Sequence, residues 1–340
     1  MEKWYEKQGN QSDIVISTRV RLARNLKNFP FRSKMTPAQQ IKINELVKTV
    51  LEKANLFENE FTFLYIDELS DMEQLSLVEK HIVSHDFIEN PQNRMLATTK
   101  DNSISVMVNE EDHIRIQVLA NGLNLKEAYD ICNKIDDLLD SELEYAFNDR
   151  LGYLTVCPTN LGTGLRASVM LHLPALETSK IIPQLISTVS KLGLTIRGTY
   201  GEGTRAIGST YQLSNQVTLG LSEETAIDNL QNIINQIIDS EKATRTEVLK
   251  NNIDVVDEIC RSYGILKNAM LMSSNEFFEH ISNVRLGVSE KIITNVDIKT
   301  INKLENSIGT ASLCTKNHKR YSPKERDINR AKIIRENLES

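Results

Sequence analysis

The chain has 340 residues, a net charge of −6, and apolar and charged shares of 40% and 25%, the profile of an ordinary globular protein with room for one large domain and a smaller one. No apolar run approaches the ~18 residues needed to span a bilayer, and the acidic balance opposes a protein that coats nucleic acid. The four cysteines, Cys132, Cys157, Cys260 and Cys314, lie far apart with no C-x-x-C pair, which suggests neither a disulfide framework nor a zinc site.

The opening Met1-Glu2-Lys3-Trp4-Tyr5-Glu6-Lys7 lacks the apolar core of a signal peptide, so the cytoplasm is the expected compartment. Residues 13–18 are β-branched and predict a strand. Thr36-Pro37 opens a helix, Thr36 as N-cap and Pro37 at the first helical position, with Ile41, Ile43, Leu46, Val47, Val50 and Leu51 on one side. Phe61–Ile66 predicts a strand, and Met72–Val83 a helix carrying His81. Strands follow at 95–98, 103–109 and 113–119, the last with Ile114, Ile116 and Val118 at period two. A helix over 125–140 and a strand over 153–157 come next, then an alternation at Ala167, Val169, Leu171 and Leu173. The pattern continues with a helix over 179–192, strands near 194–199 and 207–213, and a long helix from Glu223 to about Lys250. Beyond that point the periodicity is helical to the end. Consecutive strands with helices set apart predict an α+β fold built on an antiparallel sheet. A boundary falls near 244–252, dividing a catalytic domain over 14–244 from a smaller, mainly helical C-terminal domain over 250–340.

Gly162-Thr163-Gly164-Leu165-Arg166-Ala167 and Gly201-Glu202-Gly203-Thr204-Arg205-Ala206 both fit a loose dinucleotide fingerprint. That fingerprint requires a helix directly after it, because the helix N-terminus faces the pyrophosphate; both runs lead into alternating strands instead. No P-loop and no protein-kinase H-R-D or D-F-G motif is present. Phosphate can still be gripped by guanidinium groups through bidentate bonds, and five arginines stand where that is feasible. Arg19 and Arg21 alternate after a strand, Arg115 lies on the strand face opposite Ile114 and Ile116, Arg166 follows a Gly-Thr-Gly turn, and Arg197 precedes Gly198-Thr199-Tyr200-Gly201-Glu202. Each taken alone reads as a surface arginine.

Taken together, Ser17-Thr18-Arg19-Val20-Arg21, Asn109-Glu110-Glu111-Asp112-His113-Ile114-Arg115, Cys157-Pro158-Thr159-Asn160-Leu161-Gly162-Thr163-Gly164-Leu165-Arg166-Ala167 and Arg197-Gly198-Thr199-Tyr200-Gly201-Glu202 resemble the motifs of the phosphagen (ATP:guanido) kinases, in family order. The resemblance implies a glutamine-synthetase-like antiparallel sheet flanked by helices, Mg-ATP as phosphoryl donor with no direct protein ligand to the metal, and a guanidinium acceptor. It implies that Arg19, Arg21, Arg115, Arg166 and Arg197 hold the ATP phosphates, within an ATP site that also takes in Ser17, Thr18, Val20, Ala167, Ser168, Val169, Met170, Gly198, Thr199, Tyr200 and Gly201. His81, in Val78-Glu79-Lys80-His81, is similar to the family histidine beside the nucleotide.

A protonated guanidinium is a poor nucleophile, so the reaction needs carboxylates that pair with its nitrogens and accept a proton as the N–P bond forms. Adjacent strand residues face opposite ways, so only one of Glu110 and Glu111 should reach the acceptor. By resemblance Glu111 is the principal catalytic carboxylate and Glu202 the second; for Glu110 a supporting or metal-shell role is the expectation. Cys157 matches the family's reactive cysteine, and a thiolate near several arginines could help hold the guanidinium. Cys132, Cys260 and Cys314 have no motif around them and read as structural.

Small-guanidine members of the family carry an N-terminal helical domain over the acceptor, whereas this chain reaches Ser17–Arg21 almost at once. An open acceptor site, wide enough for an arginine side chain of a folded protein, is the expectation. This arrangement is similar to the bacterial protein-arginine branch of the family. Arg326-Asp327-Ile328-Asn329-Arg330-Ala331 resembles that branch's phosphoarginine-binding motif; Arg326 and Arg330, four apart, would share a helix face and clamp a phosphate. The branch further implies a zinc-binding activator protein, a heat-shock repressor as substrate, a Clp-type protease as destination of the marked proteins, and a homodimer through the C-terminal region. A kinase for free arginine or another small guanidine is the alternative within the same chemistry. An adaptor that binds phosphoarginine without catalysis is the alternative of another class. Arg205, beside the loop of Glu202, has no role in either.

Overall fold

The computed structural model describes residues 2–53, 61–198, 206–316 and 319–338. In chain order its elements are β1 (Val15–Arg24), α1 (Pro37–Lys53), β2 (Phe61–Tyr65), α2 (Asp71–Glu79), α3 (His85–Glu89), β3 (Met95–Thr99), β4 (Ile104–Val108), β5 (Ile114–Asn121), α4 (Leu125–Glu142), β6 (Phe147–Asn148), β7 (Gly152–Tyr153), β8 (Leu165–His172), α5 (Pro174–Thr178), α6 (Ile182–Lys191), β9 (Leu194–Gly198), β10 (Thr210–Asn215), α7 (Glu223–Asn251), α8 (Ile253–Asn268), α9 (Ser274–Ser289), α10 (Ile298–Ser307), α11 (Thr310–Lys316) and α12 (Pro323–Leu338). The larger sheet runs β2-β3-β4-β5-β1-β8-β10-β9 and all of its pairings are antiparallel. With helices on its flank and a helical C-terminal part, the fold is α+β as expected.

The sheet is two-faced because its strands alternate. Val20, Leu22, Ile114, Ile116, Val118, Ala167, Val169, Ile196 and Leu213 are buried together with apolar side chains of α1, α4, α6 and α7. Polar residues at the alternate positions go to the other face. A second core belongs to the C-terminal helices, built from Ile259, Leu266, Phe277, Ile281, Val284, Ile301, Leu304 and Ile334 among others.

Several elements depart from the sequence expectation for identifiable reasons. β1 runs to Arg24, so Arg19 and Arg21 lie within a strand and not after it. α2 stops at Glu79, and His81 stands beyond it in the left-handed region, φ 58. There the His81 N–H donates to the Val78 carbonyl and the Ile82 N–H to Leu77, closing the helix with a Schellman turn. The expected helix over 179–192 starts later, as α6 at Ile182, because a similar turn at Lys180, φ 59, first closes α5, a short helix that the sequence reading did not include. The strand over 153–157 shrinks to the two residues of β7. Cys132 and Cys314 are buried, but Cys260 is exposed.

Candidate functional site: an arginine-lined face with a carboxylate at one end

The register of the central strands assembles the site. Arg21 pairs with Arg166 across β1 and β8 and with Gln117 across β1 and β5; Arg19 pairs with Ser168 and Leu119, and Ala23 with Arg115. Directly opposed residues share a face, so Ser17, Arg19, Arg21, Arg115, Arg166, Ser168 and Met170 stand on the face opposite the main core. Through Gln212 the same face continues to Arg197 on β9. The side chains of Thr18, Val20, Ala167 and Val169 lie on the core side instead. Thr18 Oγ1 is spent on the Gly122 carbonyl and the Asn124 N–H, so these four enter a ligand site only through their strands. The direction in which strand alternation sends them is the reason.

Gly162 and Gly164 serve the turn that starts β8, not a pyrophosphate. Both have positive φ (109° and 64°), and a Cβ on Gly162 would meet the Thr218 carbonyl oxygen at 2.2 Å.

The cluster is electrically unbalanced. Burial, followed by the Arg166 and Arg115 charges, lowers the Arg19 guanidinium to about 10. Burial, Arg19, Arg115 and Arg166 push Arg21 further below its ordinary value. Arg166 is lowered by burial and by Arg197 and Arg115. The Nε donors of Arg21 and Arg166 are buried without a partner. Guanidinium groups stay protonated at neutral pH, so this face holds concentrated positive charge and idle donors, the complement of a polyanion. His81 lines the same cleft with Ser17, Arg19 and Met170. Burial and the neighbouring Arg19 lower its pKa to about 4, which makes it neutral at neutral pH.

Glu110 and Glu111 occupy the turn between β4 and β5, not a strand, because Asn109 takes a left-handed conformation, φ 63. Asn25 pins this turn, donating to Asp112 Oδ1 at 2.6 Å and accepting the His113 N–H at 2.9 Å. Glu110 is buried, pairs with Arg115 Nη1 at 2.5 Å and accepts a short bond from Ser84. Glu111 stays 39% exposed and pairs with Arg115 at 3.3 Å. Burial and the neighbouring Asp112 raise its carboxyl above the ordinary value. Glu111, Arg115, Cys157, Arg21 and Arg166 line one recess, in which Cys157 Sγ lies 3.0 Å from Thr159 Oγ1. Glu202, Thr199, Tyr200, Gly201 and Arg205 lie outside the described residues; Gly198 ends β9.

Sequence reasoning passed over Leu119, Gln212 and Trp4, which line the cleft beside Arg19. The period of two from Arg115 through Gln117 already placed Leu119, whereas Trp4 arrives by a long-range contact that no local pattern records. At the other end of the chain, Arg330 is 2% exposed. It donates to the Ile308 and Met272 carbonyls at 3.1 and 2.7 Å and to Asp327 at 2.7 Å, and Ala331 is buried in the C-terminal core. The expected two-arginine clamp is therefore corrected in one respect: Arg330 is tied into the helical core, and Arg326 is the more exposed of the two. Among the described residues no group of three or more His, Cys, Asp or Glu is placed to hold a metal ion, and no helix is long and apolar enough to cross a membrane.

A face of clustered arginines with a carboxylate set beside it goes here with the class of ATP-dependent phosphotransferases for guanidino acceptors. Residues 42–244 match the ATP:guanido phosphotransferase C-terminal catalytic domain, and residues 252–340 match the protein-arginine kinase McsB C-terminal domain. Among solved structures, lombricine kinase is similar with a TM-score of 0.62 and 26% identity over 70% of this chain and 69% of that one. The duplicated taurocyamine kinase of Schistosoma mansoni, with bound transition-state-analogue components, gives a TM-score of 0.63 at 30% identity, covering 74% of this chain and 37% of that one. Full-length relatives are the protein-arginine kinases of Clostridium acetobutylicum, 44% identical over 99% of this chain and 100% of the relative, and of Desulforamulus reducens, 46% identical over 99% and 96%. The chain belongs to the protein-arginine kinase family.

Proposed function

We propose that this protein transfers the γ-phosphoryl group of Mg-ATP to arginine side chains of proteins. The observation that carries the reading is the cluster of Arg19, Arg21, Arg115 and Arg166 on one sheet face with Glu111 at its edge. In this reading the arginines take the phosphates and Ser17, His81, Ser168 and Met170 line the nucleoside side. Arg197, Gly198 and the segment of Thr199, Tyr200 and Gly201 complete the site. Magnesium arrives on the phosphates; the cleft presents guanidinium groups where a metal would need oxygen ligands.

Glu111 pairs with the incoming guanidinium and takes its proton as the terminal nitrogen attacks the γ-phosphorus. The N–P bond forms, the bond to the β-phosphate oxygen breaks, and ADP leaves with that electron pair. Glu202 is the second carboxylate, Cys157 an additional partner for the guanidinium, and Glu110 the buried anchor that holds Arg115 in place. The raised Glu111 carboxyl suits a proton acceptor, since its conjugate acid is the more easily formed.

Residues 14–244 form the catalytic domain and 250–340 the helical one, although α7 runs unbroken through the boundary to Asn251. Arg326 and Asp327, backed by Arg330 and Ala331, are the place for a phosphoarginine that raises activity. The partners that go with this role are a zinc-binding activator protein, a heat-shock repressor as substrate, a Clp-type protease, and a second copy of the chain. The setting is a cytoplasmic stress response. Incubation with Mg-ATP and an arginine-rich protein, then mass spectrometry at neutral pH to preserve the acid-labile N–P bond, should show phosphoarginine on the protein. Phosphorylation of free arginine alone would sink the protein-substrate reading. Undiminished ADP production by Glu111→Gln would sink the assignment of the base.

A further inference from the structure

The arginine face has a direction. Along β1 and β8 the paired positions step from Arg21 and Arg166, through Arg19 and Ser168, to Ser17 and Met170. Four residues at about 3.3 Å each put the last pair roughly 13 Å from the first. Glu111 and Cys157 stand at the Arg21 end, so a γ-phosphoryl group has to lie there, and the ribose and base of the nucleotide run the other way. At that far end the cavity does not finish on the sheet. A recess shares Trp4, Ser17, His81 and Met170 with the cleft around Arg19, and its opposite wall is Phe278 of α9 with Glu305 and Asn306 of α10.

We infer that the helical C-terminal part supplies the outer wall of the base pocket, so that one nucleotide touches both parts of the molecule. This rests on the reading of the arginine face as a nucleotide site. The recess has the make-up of a heterocycle pocket, apolar faces with a few hydrogen-bonding groups at the edge. Trp4, Ile16, Met170 and Phe278 give the faces, and Ser17, Thr210, Glu305 and Asn306 the edge.

The edge groups are held in place. Glu305 Oε2 accepts from Arg285 Nη2 at 2.8 Å, and Arg285 itself is 1% exposed. Asn306 Nδ2 donates to the Asn302 carbonyl at 2.9 Å, so its amide oxygen is the pole left to accept from a base amino group. Remaining acceptor capacity on Glu305 and Asn306 suits the donor edge of an aminopurine, and both stand at the Ser17 end of the cleft, away from the Arg21 end where the γ-phosphoryl group lies. The wall therefore distinguishes a nucleoside triphosphate from a bare polyphosphate.

The experiment titrates the full-length protein, by calorimetry in magnesium buffer, with ATP and separately with inorganic tripolyphosphate. Asn306→Ala and Phe278→Leu should each weaken ATP binding about tenfold while leaving tripolyphosphate within twofold of wild type. Melting of the ligand-free variants at the wild-type temperature checks that they fold. Two variants are used because Phe278 also borders the C-terminal core. ATP affinity unchanged in both variants would overturn the inference, as would equal losses for ATP and tripolyphosphate. Failure of the wild type to bind either ligand would instead overturn the nucleotide reading of the arginine face, and this inference with it.

Discussion

Arg21 shows how a single side chain can be costly to the empty protein and necessary to the loaded one. Its guanidinium is pushed down by burial, Arg19, Arg115 and Arg166, and its Nε has no partner, so without an anion it is a poorly compensated charge. Arg21→Met keeps the bulk and removes the charge. The ligand-free variant should melt no lower than wild type, while the rise in melting temperature caused by ATP should largely vanish and ADP production should fall at least a hundredfold, the scale for loss of a preorganised electrostatic group. Thermal denaturation with and without ATP tests both signs. Glu111 carries the matching pH statement. Burial and Asp112 raise its carboxyl, so the acid limb of kcat/KM should lie above the ordinary carboxylate range, with activity lost as falling pH protonates the base. Asp112→Asn removes one cause of the raised value and should move that limb downward; an unmoved limb would remove Asp112 as a cause.

Among the elements, β1 had the most legible face and the least legible end. Alternation placed Arg19 and Arg21 together, and Ala167 and Val169 against the core, because a period of two is a local property. Arg24, three residues on from Arg21, falls by the same alternation on the core side with Val20 and Leu22, and it is 1% exposed. It pairs with Asp136 of α4 at 2.6 Å and Glu223 of α7 at 3.3 Å, with its guanidinium over the Tyr153 ring at 3.5 Å. Partners so far away along the chain leave no periodic trace. The same blindness hid the burial of Arg330 and gave Arg326 and Arg330 equal standing. The His81 and Lys180 turns were missed for another reason: neither residue is the glycine that ordinarily signals a left-handed helix end. Glu111 was legible through its motif but not through its strand, since the residues that turn the chain outward, Asn109 and Asn25, act from two different segments. Because Arg24 ties the end of β1 to two helices, Arg24→Ala strands Asp136 as a buried, uncompensated carboxylate. A loss of about 3–5 kcal/mol is expected, measured by urea denaturation; a loss under 1 kcal/mol would mean that Asp136 finds water or another cation.

At the scale of the whole molecule, the catalytic sheet and the C-terminal helices meet through polar groups as well as apolar ones. His172, at the end of β8, lies with Nε2 2.8 Å from Ser282 Oγ of α9. Arg245 of α7 reaches the His172 carbonyl at 3.2 Å, Glu241 at 2.8 Å and Glu290 of the α9 end at 3.6 Å. Glu241 in turn accepts the Ala175 and Leu176 N–H groups at the start of α5. Burial, then the Arg245 and Arg285 charges, holds His172 well below its ordinary value, so it is neutral in the folded protein. An unfolded chain takes up a proton at this histidine as pH falls through about 6.5 and the folded chain does not. The junction is therefore at full strength above that pH and weakens below it, by about 1.4 kcal/mol per pH unit for this one group. His81 and His113, also lowered by burial, add to the same slope, so His172→Gln should make it shallower without abolishing it. The variant should be less stable than wild type at pH 7.5, having lost a fitted contact to Ser282, yet the gap should close steadily toward pH 5. Parallel stability curves for the two proteins over that range would show that His172 takes up a proton in the folded state as readily as in the unfolded one, and that acid loosens the junction through other groups.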